Sequence, residues 1–235
     1  FIEKPITRTV DEAKELINLA GEKKKLIQVG HVERYNPAFT QIKKNSLNPL
    51  FVESHRLAPF HNRGTDVDVV LDLMIHDIDI LLSLMKVKIK NINAYGISVL
   101  SKTIDMANTR ITFDNGCIAN LTASRISQKK LRKFRVFENK SYTTIDFLNP
   151  CVEKYVVTND KPDKSLSYVT MNESEEKYIL YDKPKIYLYN ALKRELADFI
   201  KAITTATKPM VGGDAGLRAL EVATQIRQQI NNKKS

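Results

Sequence analysis

Asp72 and His76 lie four residues apart in a stretch that is otherwise mostly apolar, from Thr65 to Met85. At about 100° per residue, residues four apart on a helix share one face, so the carboxylate and the imidazole can meet. A carboxylate beside an imidazole fixes the orientation of the ring and raises its basicity. The spacing therefore indicates a general base that works near neutral pH.

Two other interpretations fit the same spacing. Asp72, His76 and Asp79 could hold a zinc or manganese ion, since imidazole and carboxylate suit both metals. That site would favour a metal-dependent lyase or hydrolase. Alternatively, the polar residues pack against a polar neighbour or a water channel, and His76 is merely hydrogen-bonded.

The element that must position these residues is a helix predicted from Thr65 to Met85. Its polar side chains fall within roughly 80° of one another on a helical wheel: Asp68, Asp72, His76, Asp79 and Ser83. A helix that is apolar on nearly all sides is a buried one, so this polar stripe should line a cleft or an interface. Thr65 followed by Asp68 is typical of a capping box, and Gly64 ends the preceding segment.

The elements before and after this helix predict an α+β fold. A strand ending at Pro5, a helix opened by the capping box Thr9–Glu12 and a strand at 26–30 form a βαβ unit. Later strands with short turns predict a mostly antiparallel sheet with helices on one face, including a hairpin at Asp114-Asn115-Gly116. The predicted strands are 51–59, 89–100, 106–113, 117–124, 133–138, 142–147 and 152–157, and the predicted helices are 37–44, 187–204 and 214–230. Residues 159–176 are predicted as a loop or an irregular edge.

Composition limits the classes of protein that this chain can represent. It has 235 residues, two cysteines and a formal net charge of +10. No apolar run is long enough to cross a bilayer, and the first residues do not resemble a secretory signal, so we expect a cytoplasmic protein. The basic residues carry no nucleic-acid motif and are not interleaved with aromatic residues. We therefore expect no membrane or nucleic-acid partner.

Several separated motifs resemble the glucose–fructose oxidoreductase and inositol dehydrogenase family of NAD(P)-dependent enzymes. Glu3-Lys4-Pro5 is similar to its EKP motif, and the segment from Val29 to Pro37 to its crossover between domains. Residues 72–76 resemble its D-x-x-x-H helix, and residues 209–223 its closing segment. The segments VGHVERYNP and DLMIHD are most similar to those of bacterial members that act on UDP-N-acetylglucosamine at the 3-position.

The resemblance implies two domains. Residues 1–36 would be the C-terminal remnant of a dinucleotide-binding Rossmann domain, and residues 37–235 a substrate-binding and oligomerisation domain. The family begins with a Gly-rich fingerprint, but no G-x-G-x-x-G occurs here, and the sequence begins without Met. We therefore expect a C-terminal part that lacks the main NAD or NADP motif and is inactive on its own. A catalytically inactive binding or scaffold module of the same fold is the alternative.

In the whole enzyme, the resemblance implies hydride transfer between a sugar, nucleotide-sugar or cyclitol carbon and the nicotinamide. His76 would be the general base, and Lys4 would favour the developing alkoxide. Asp72 would orient His76 or, as in some members of the family, bond to the substrate. The residues implied at the cofactor are Lys4, Pro5, Arg34 and Asn36. The residues expected at the substrate are Arg56, His61 and Arg63, because arginines hold phosphates bidentately. His31 is expected to be structural.

The second face of the antiparallel sheet needs a cover that the helices do not supply. We expect this open face to join copies of the chain into a homodimer or homotetramer, as is common in the resembled family. The other expected partner is a small-molecule sugar or nucleotide sugar.

Overall fold

The computed structural model describes residues 1–42, 47–61, 64–163, 166–172 and 177–233. The chain opens with a βαβ unit: β1 (Ile2–Glu3), α1 (Val10–Glu22) and β2 (Val29–Gly30). The two strands pair in parallel, as predicted. The predicted capping box is also confirmed, because Thr9 Oγ1 accepts from the Glu12 amide and the Glu12 carboxylate accepts from the Thr9 amide. The origin of this unit in a Rossmann domain stays a prediction.

A short crossover links the βαβ unit to the rest of the chain. It consists of a 3-10 helix, Val32–Tyr35, and a single helical turn, α2 (Pro37–Thr40). Asn36 caps α2 by accepting from the Ala38 amide at 3.0 Å, and Pro37 occupies the first helical position, where a missing N–H costs nothing. The predicted helix extended to residue 44, but residues 43–46 lie outside the described part of the chain.

Nine strands form the main sheet: β3 (Phe51–Leu57), β4 (Ile89–Ile97), β5 (Met106–Phe113), β6 (Ile118–Ser124), β7 (Leu131–Glu138), β8 (Ser141–Asp146), β9 (Cys151–Thr158), β10 (Tyr168–Asn172) and β11 (Lys177–Asp182). Their order is β10-β11-β9-β8-β7-β3-β6-β5-β4. All neighbouring pairs are antiparallel except β3 and β6, which are parallel. The α+β prediction with a mostly antiparallel sheet is therefore confirmed.

The predicted strands before β10 lie where the structure places β3 to β9, with ends that differ by a few residues. Gly116 has a φ of +85°, which a glycine adopts without strain, and its amide closes the predicted hairpin on the Phe113 carbonyl. Residues 159–176 were predicted as a loop or an irregular edge, and β10 is an edge strand whose pairing with β11 has a register shift between Thr170 and Asn172. β11 was not predicted, although its Tyr178-Ile179-Leu180-Tyr181 run is rich in residues that favour strands.

Helices cover one face of this sheet. The central helix consists of a π-helical turn (Val70–Met74) that continues into α3 (Ile75–Leu84), and the last two helices are α4 (Ala191–Thr204) and α5 (Gly213–Asn232). α5 packs on α3, on α1 and on β4. Met74, Ile75, Ile78 and Leu81 are fully buried, as a helix that is apolar on nearly all sides requires. Within the described residues, no helix combines the length and the apolar composition that crossing a bilayer needs.

Candidate active site

The central helix begins with a π turn, one residue wider than an α-helical turn. The Ile75 amide donates to the Val70 carbonyl, five residues earlier. Asp68 caps the start of the helix, because its carboxylate accepts from the amides of Val70 at 3.0 Å and Leu71 at 3.1 Å. The same carboxylate pairs with Arg227 of α5. The predicted start at Thr65 is therefore wrong: Asp68 is the residue that satisfies the free amides. π turns of this kind are frequent at functional sites.

Lys4 reaches the π turn from the end of β1. Its ammonium donates to the Asp72 carbonyl at 2.6 Å and to Asp72 Oδ1 at 3.2 Å. The side chain of Lys4 is 19% exposed and that of Asp72 is 46% exposed, so the pair lies at the solvent-accessible end of the helix. The fold thus joins two residues that are 68 positions apart in the sequence.

His76 follows Asp72 by one helical turn and is half-buried. Its ring lies edge-on to His31, with 6.4 Å between ring centroids and an interplanar angle of 89°. Nδ1 of His76 is buried and has no hydrogen-bond partner among the described residues. Desolvation and the nearby cations Arg56 and Lys4 hold the pKa of His76 well below its usual 6.5. The imidazole is therefore neutral at physiological pH and able to accept a proton.

This geometry corrects one expectation. The Asp72 carboxylate was expected to orient His76 and to raise its basicity. In the described part of the chain, Asp72 bonds to Lys4 instead, and the pKa of His76 is lowered rather than raised. The reason is that burial penalises the imidazolium and that two cations lie close to the ring, while the neighbouring carboxylate is already paired.

The remaining carboxylates of the central helix form buried ion pairs. Asp79 accepts from Arg34 Nε at 2.6 Å and Nη2 at 3.0 Å. Asp77, outside the predicted stripe, accepts from Arg56 Nη2 at 2.8 Å, and Arg56 Nη1 donates to Glu33 at 2.8 Å. All of these side chains are at least nine-tenths buried. These pairs tie the helix to the crossover and to β3.

Three of the expected binding residues are therefore reassigned to internal contacts. Arg56 was expected to hold substrate phosphates, but its guanidinium is 3% exposed and bound by two carboxylates. Arg34 was expected at the cofactor, and its Nε and Nη2 bind Asp79. Asn36 was expected there too, and its side chain bonds to the Ala38 amide, the Glu33 carboxylate and the Phe147 carbonyl.

The other expected binding residues are Pro5, His61 and Arg63. Pro5 is half-buried next to Lys4, and the Lys4–Pro5 peptide bond is cis. His61 is exposed in the loop after β3. Arg63 lies outside the described residues, so its expected contact with substrate stays a prediction.

The contacts of the two carboxylates also weigh against a metal site. Asp72 is paired with Lys4 and Asp79 with Arg34, so neither is free to join His76 around an ion. Across residues 1–42, 47–61, 64–163, 166–172 and 177–233, no group of three or more metal-ligating side chains occurs.

Glu195 of α4 is a buried acid that the sequence reasoning missed. It is 0% exposed, and neither carboxylate oxygen has a hydrogen-bond partner among the described residues. Desolvation, with Glu3 and Asp79 nearby, raises its pKa to about 7. A signal was present in the sequence, because Ala191, Phe199 and Ala202 place Glu195 on the apolar side of an amphipathic helix.

Replacing Glu195 with glutamine is expected to stabilise the protein at about pH 8 by at most ~3 kcal/mol. The raised pKa means that the folded state binds more protons than the unfolded chain between pH 4.5 and about 7. The wild type therefore loses stability as the pH rises through this window, whereas Glu195→Gln does not. Denaturant unfolding at both ends of the window measures this difference.

A matched control is Glu221→Gln. Glu221 lies on the exposed side of α5, where its Oε1 is 4.0 Å from Lys14 Nζ. The free energy of unfolding of Glu221→Gln should differ from that of the wild type by the same amount at both pH values. If the stability difference between Glu195→Gln and wild type is also the same at both pH values, the carboxyl of Glu195 does not titrate as described.

Comparison with known proteins places this geometry in context. A protein-family model described as the GFO/IDH/MocA C-terminal domain matches residues 40–141. The UDP-N-acetylglucosamine 3-dehydrogenase of Acidithiobacillus ferrooxidans is 34% identical over 228 residues, which cover 97% of this chain and 69% of that enzyme. The scyllo-inositol 2-dehydrogenase (NAD(+)) of Bacillus subtilis is 26% identical over 149 residues, which cover 54% of this chain and 42% of that enzyme.

Solved structures show the same relationship. A structure of UDP-N-acetylglucosamine 3-dehydrogenase from Acidithiobacillus ferrooxidans has a TM-score of 0.86 at 32% identity, covering 97% of this chain and 70% of that one. A levoglucosan dehydrogenase solved with NADH and levoglucosan has a TM-score of 0.79, covering 98% of this chain and 71% of that one. At 16% identity, the second match shows a common fold alone.

Proposed function

Because this chain belongs to the GFO/IDH/MocA family of oxidoreductases, we propose that it supplies the acid–base and substrate-binding residues of an NAD(P)-dependent dehydrogenase. The reaction would move a hydride between a hydroxyl-bearing carbon of a nucleotide sugar and the nicotinamide. The observation that carries this proposal is the contact of Lys4 with Asp72, one turn before a neutral His76.

Each of these side chains has a distinct task in the proposed reaction. His76 accepts the proton of the substrate hydroxyl, for which a neutral imidazole is required. Lys4 lies beside the carbon–oxygen bond, where its charge favours the alkoxide that develops as the hydride leaves. Asp72 holds the ammonium in place through its carbonyl and its carboxylate.

The nicotinamide, when bound, supplies the hydride acceptor or donor. The residues of this chain that fit it are Lys4 and Pro5. Lys4 uses two contacts on Asp72, and an ammonium has a further N–H group for a ligand. Its partial exposure leaves that group within reach of a cofactor or a sugar hydroxyl. We infer on this basis that residues 1–36 belong with the cofactor-binding part and residues 37–235 with the substrate-binding part.

A nucleotide sugar is the proposed substrate because the relative that is 34% identical over most of this chain is named for UDP-N-acetylglucosamine. A screen with the complete protein tests this choice. Reduction of NAD⁺ or NADP⁺ is followed by the absorbance of the reduced cofactor. The compounds tested are UDP-N-acetylglucosamine, free N-acetylglucosamine and scyllo-inositol. We expect turnover with the nucleotide sugar. Turnover with scyllo-inositol alone would support the proposed dehydrogenase activity but contradict the proposed nucleotide-sugar substrate. No turnover with any of the three compounds would contradict both the activity and the substrate.

Replacing Lys4 with methionine is expected to lower kcat by about 10²-fold or more, since a charge aimed at the developing alkoxide is lost. Methionine keeps most of the aliphatic length, so the turn after β1 should remain folded. The measurement is steady-state turnover with saturating substrate and cofactor. Lys14→Met is the control, because Lys14 pairs with Glu221 at 4.0 Å on the protein surface and should leave kcat unchanged.

We also propose that the open sheet face joins two copies of the chain. Val52, Ser54 and Arg56 of β3 point to the helices, so the alternating residue Phe51 points to the opposite face. A row of aromatic rings crosses that face from β3 to β11, with neighbouring centroids 4.8–5.7 Å apart: Phe51, Phe137, Tyr142, Tyr155 and Tyr181.

Charge pairs accompany the rings. Glu53 pairs with Arg135, and Glu153 with Lys183, each at 3.0 Å. A face that carries both signs of charge around an apolar centre can match its own copy across a two-fold axis. Tyr142→Arg is expected to lower the mass measured by analytical ultracentrifugation to that of the monomer, while Leu19→Arg on α1 is the control. An unchanged mass for Tyr142→Arg, or a monomeric wild type, would contradict the interface.

A further inference from the structure

Arg132 of β7 is an exposed arginine that has no role in the proposed reaction. It lies directly opposite Arg56 in the antiparallel pair of β3 and β7. Opposite residues of such a pair project from the same face of the sheet, so Arg132 lies on the face that the helices cover. The next two residues of β7 on this face, Phe134 and Val136, are fully buried. The helical cover therefore ends at Arg132.

The two opposite arginines differ in exposure and in bonding. The side chain of Arg56 is 3% exposed and is held by Asp77 and Glu33. The side chain of Arg132 is 43% exposed, and its Nη1 lies 3.4 Å from Glu33 Oε1, the oxygen that already accepts from Arg56 at 2.8 Å. This long contact uses one of the five N–H groups of the guanidinium. Arg132 therefore has donors that can reach a ligand, whereas Arg56 is fixed in the interior.

A series of ion pairs joins Arg132 to the helix that carries His76. Glu33 lies between the two arginines, 3.4 Å from Arg132 and 2.8 Å from Arg56. Arg56 in turn bonds at 2.8 Å to Asp77, which directly follows His76. Burial is the main cause of the low pKa of His76, and Arg132 is among the cations, Arg56 first, that lower it further. Arg132 therefore lies near the proposed base but outside the buried cluster.

Two loops lie side by side at the end of the sheet where Arg132 is located. One follows β3 and the other precedes β7, and the Ser127 amide donates to the Ala58 carbonyl across them at 3.1 Å. The exposed side chains of these loops include His61, Lys129 and Lys130. Positive charge and N–H donors around an exposed arginine favour an anionic ligand at this end of the sheet.

We propose that Arg132 binds the diphosphate of the nucleotide-sugar substrate, an inference that rests on the proposed dehydrogenase function. A guanidinium holds two phosphate oxygens with two parallel N–H groups, and such charged pairs are stronger than neutral hydrogen bonds. The diphosphate replaces the long contact of Arg132 with Glu33. The Glu33 carboxylate keeps its bonds to Arg56 at 2.8 Å and to the Asn36 amide group at 3.1 Å. Arg132 thus takes the role that was expected of Arg56.

The test measures the binding of UDP to the complete protein by calorimetry, without cofactor and without turnover. We expect Arg132→Met to raise the Kd for UDP about 10- to 100-fold, the loss of a charge-assisted contact. The nicotinamide cofactor also carries a diphosphate, so the Kd for NAD⁺ is measured as well and should stay unchanged. Arg132→Lys retains the charge but not the two parallel donors, and its Kd for UDP should lie between those of the wild type and Arg132→Met. In turnover, KM for UDP-N-acetylglucosamine should rise while kcat changes little.

Arg218→Met is the matched control, because Arg218 is an exposed arginine of α5. It should bind UDP as tightly as the wild type. The inference is overturned if both Arg132 variants bind UDP as tightly as the wild type, or if Arg132→Met weakens the binding of NAD⁺ instead. Both results leave the dehydrogenase assignment standing, since that assignment is tested by the turnover of His76→Ala. A wild type that does not bind UDP would overturn the inference together with the nucleotide-sugar substrate.

Discussion

Replacing His76 with alanine is expected to lower kcat/KM for the sugar by about 10²- to 10⁴-fold, the usual contribution of a general base. His76 is neutral at physiological pH because burial and nearby cations oppose its protonation. Without the imidazole, the proposed reaction loses the neutral base that lies one turn from the Lys4–Asp72 pair. Steady-state reduction of NAD(P)⁺ at saturating cofactor measures the loss.

Ser83→Ala is the control for this prediction. Ser83 lies on the same polar stripe of the central helix, and its hydroxyl donates to the Ile80 carbonyl of its own helix, at 2.7 Å. Both variants should keep the wild-type circular dichroism spectrum, and Ser83→Ala should keep its kcat/KM. Full turnover by His76→Ala would favour the alternative of a binding or scaffold module that shares the fold.

Replacing Arg56 with methionine is expected to lower the free energy of unfolding by about 3–5 kcal/mol. Arg56 contributes the buried positive charge to a cluster in which Asp77 and Glu33 are both buried, and the more exposed Arg132 reaches Glu33 at 3.4 Å. Removing Arg56 leaves two carboxylates close together in the interior, and Arg132 compensates the desolvation of only one of them. Such a loss is a large share of the stability of a typical domain, so the midpoint of denaturant unfolding should move clearly.

Lys14→Met provides the comparison, because Lys14 also pairs with a glutamate but is 53% exposed and lies away from the open sheet face. Its loss should cost less than about 1 kcal/mol, as exposed ion pairs usually do. The double variant Arg56→Met/Asp77→Leu should recover part of the stability lost by Arg56→Met, since one unpaired charge is removed with its partner. A loss below about 1 kcal/mol for Arg56→Met would mean that water reaches the cluster.

The sequence alone was sufficient for features that depend on neighbouring residues. The capping box of α1, the hairpin at Gly116 and the buried apolar helix around His76 all follow from local hydrogen bonding or from the period of apolar residues. The strands β3 to β9 were predicted for the same reason. The family was also accessible from the sequence, because short motifs in a fixed order carry it without reference to three-dimensional contacts.

The tertiary structure decided which charges meet. Spacing placed Asp72 beside His76, but the fold delivers Lys4 to Asp72 from 68 residues away. Spacing also left Arg34 and Arg56 available for ligands, whereas the fold pairs them with Asp79 and Asp77 of the central helix. The π turn and the choice of Asp68 as the capping residue were likewise settled by packing against α5.

Periodicity specifies the face on which a side chain lies, and this sequence therefore determined most of its elements, its buried helix and the stripe of acids on that helix. It did not determine the partner of each acid, because an ion pair is a property of two segments that only the topology brings together. The desolvation of a side chain likewise depends on segments that only the topology brings together. The pKa shifts of His76 and Glu195 depend on how completely the finished fold excludes water from groups that look ordinary in the sequence.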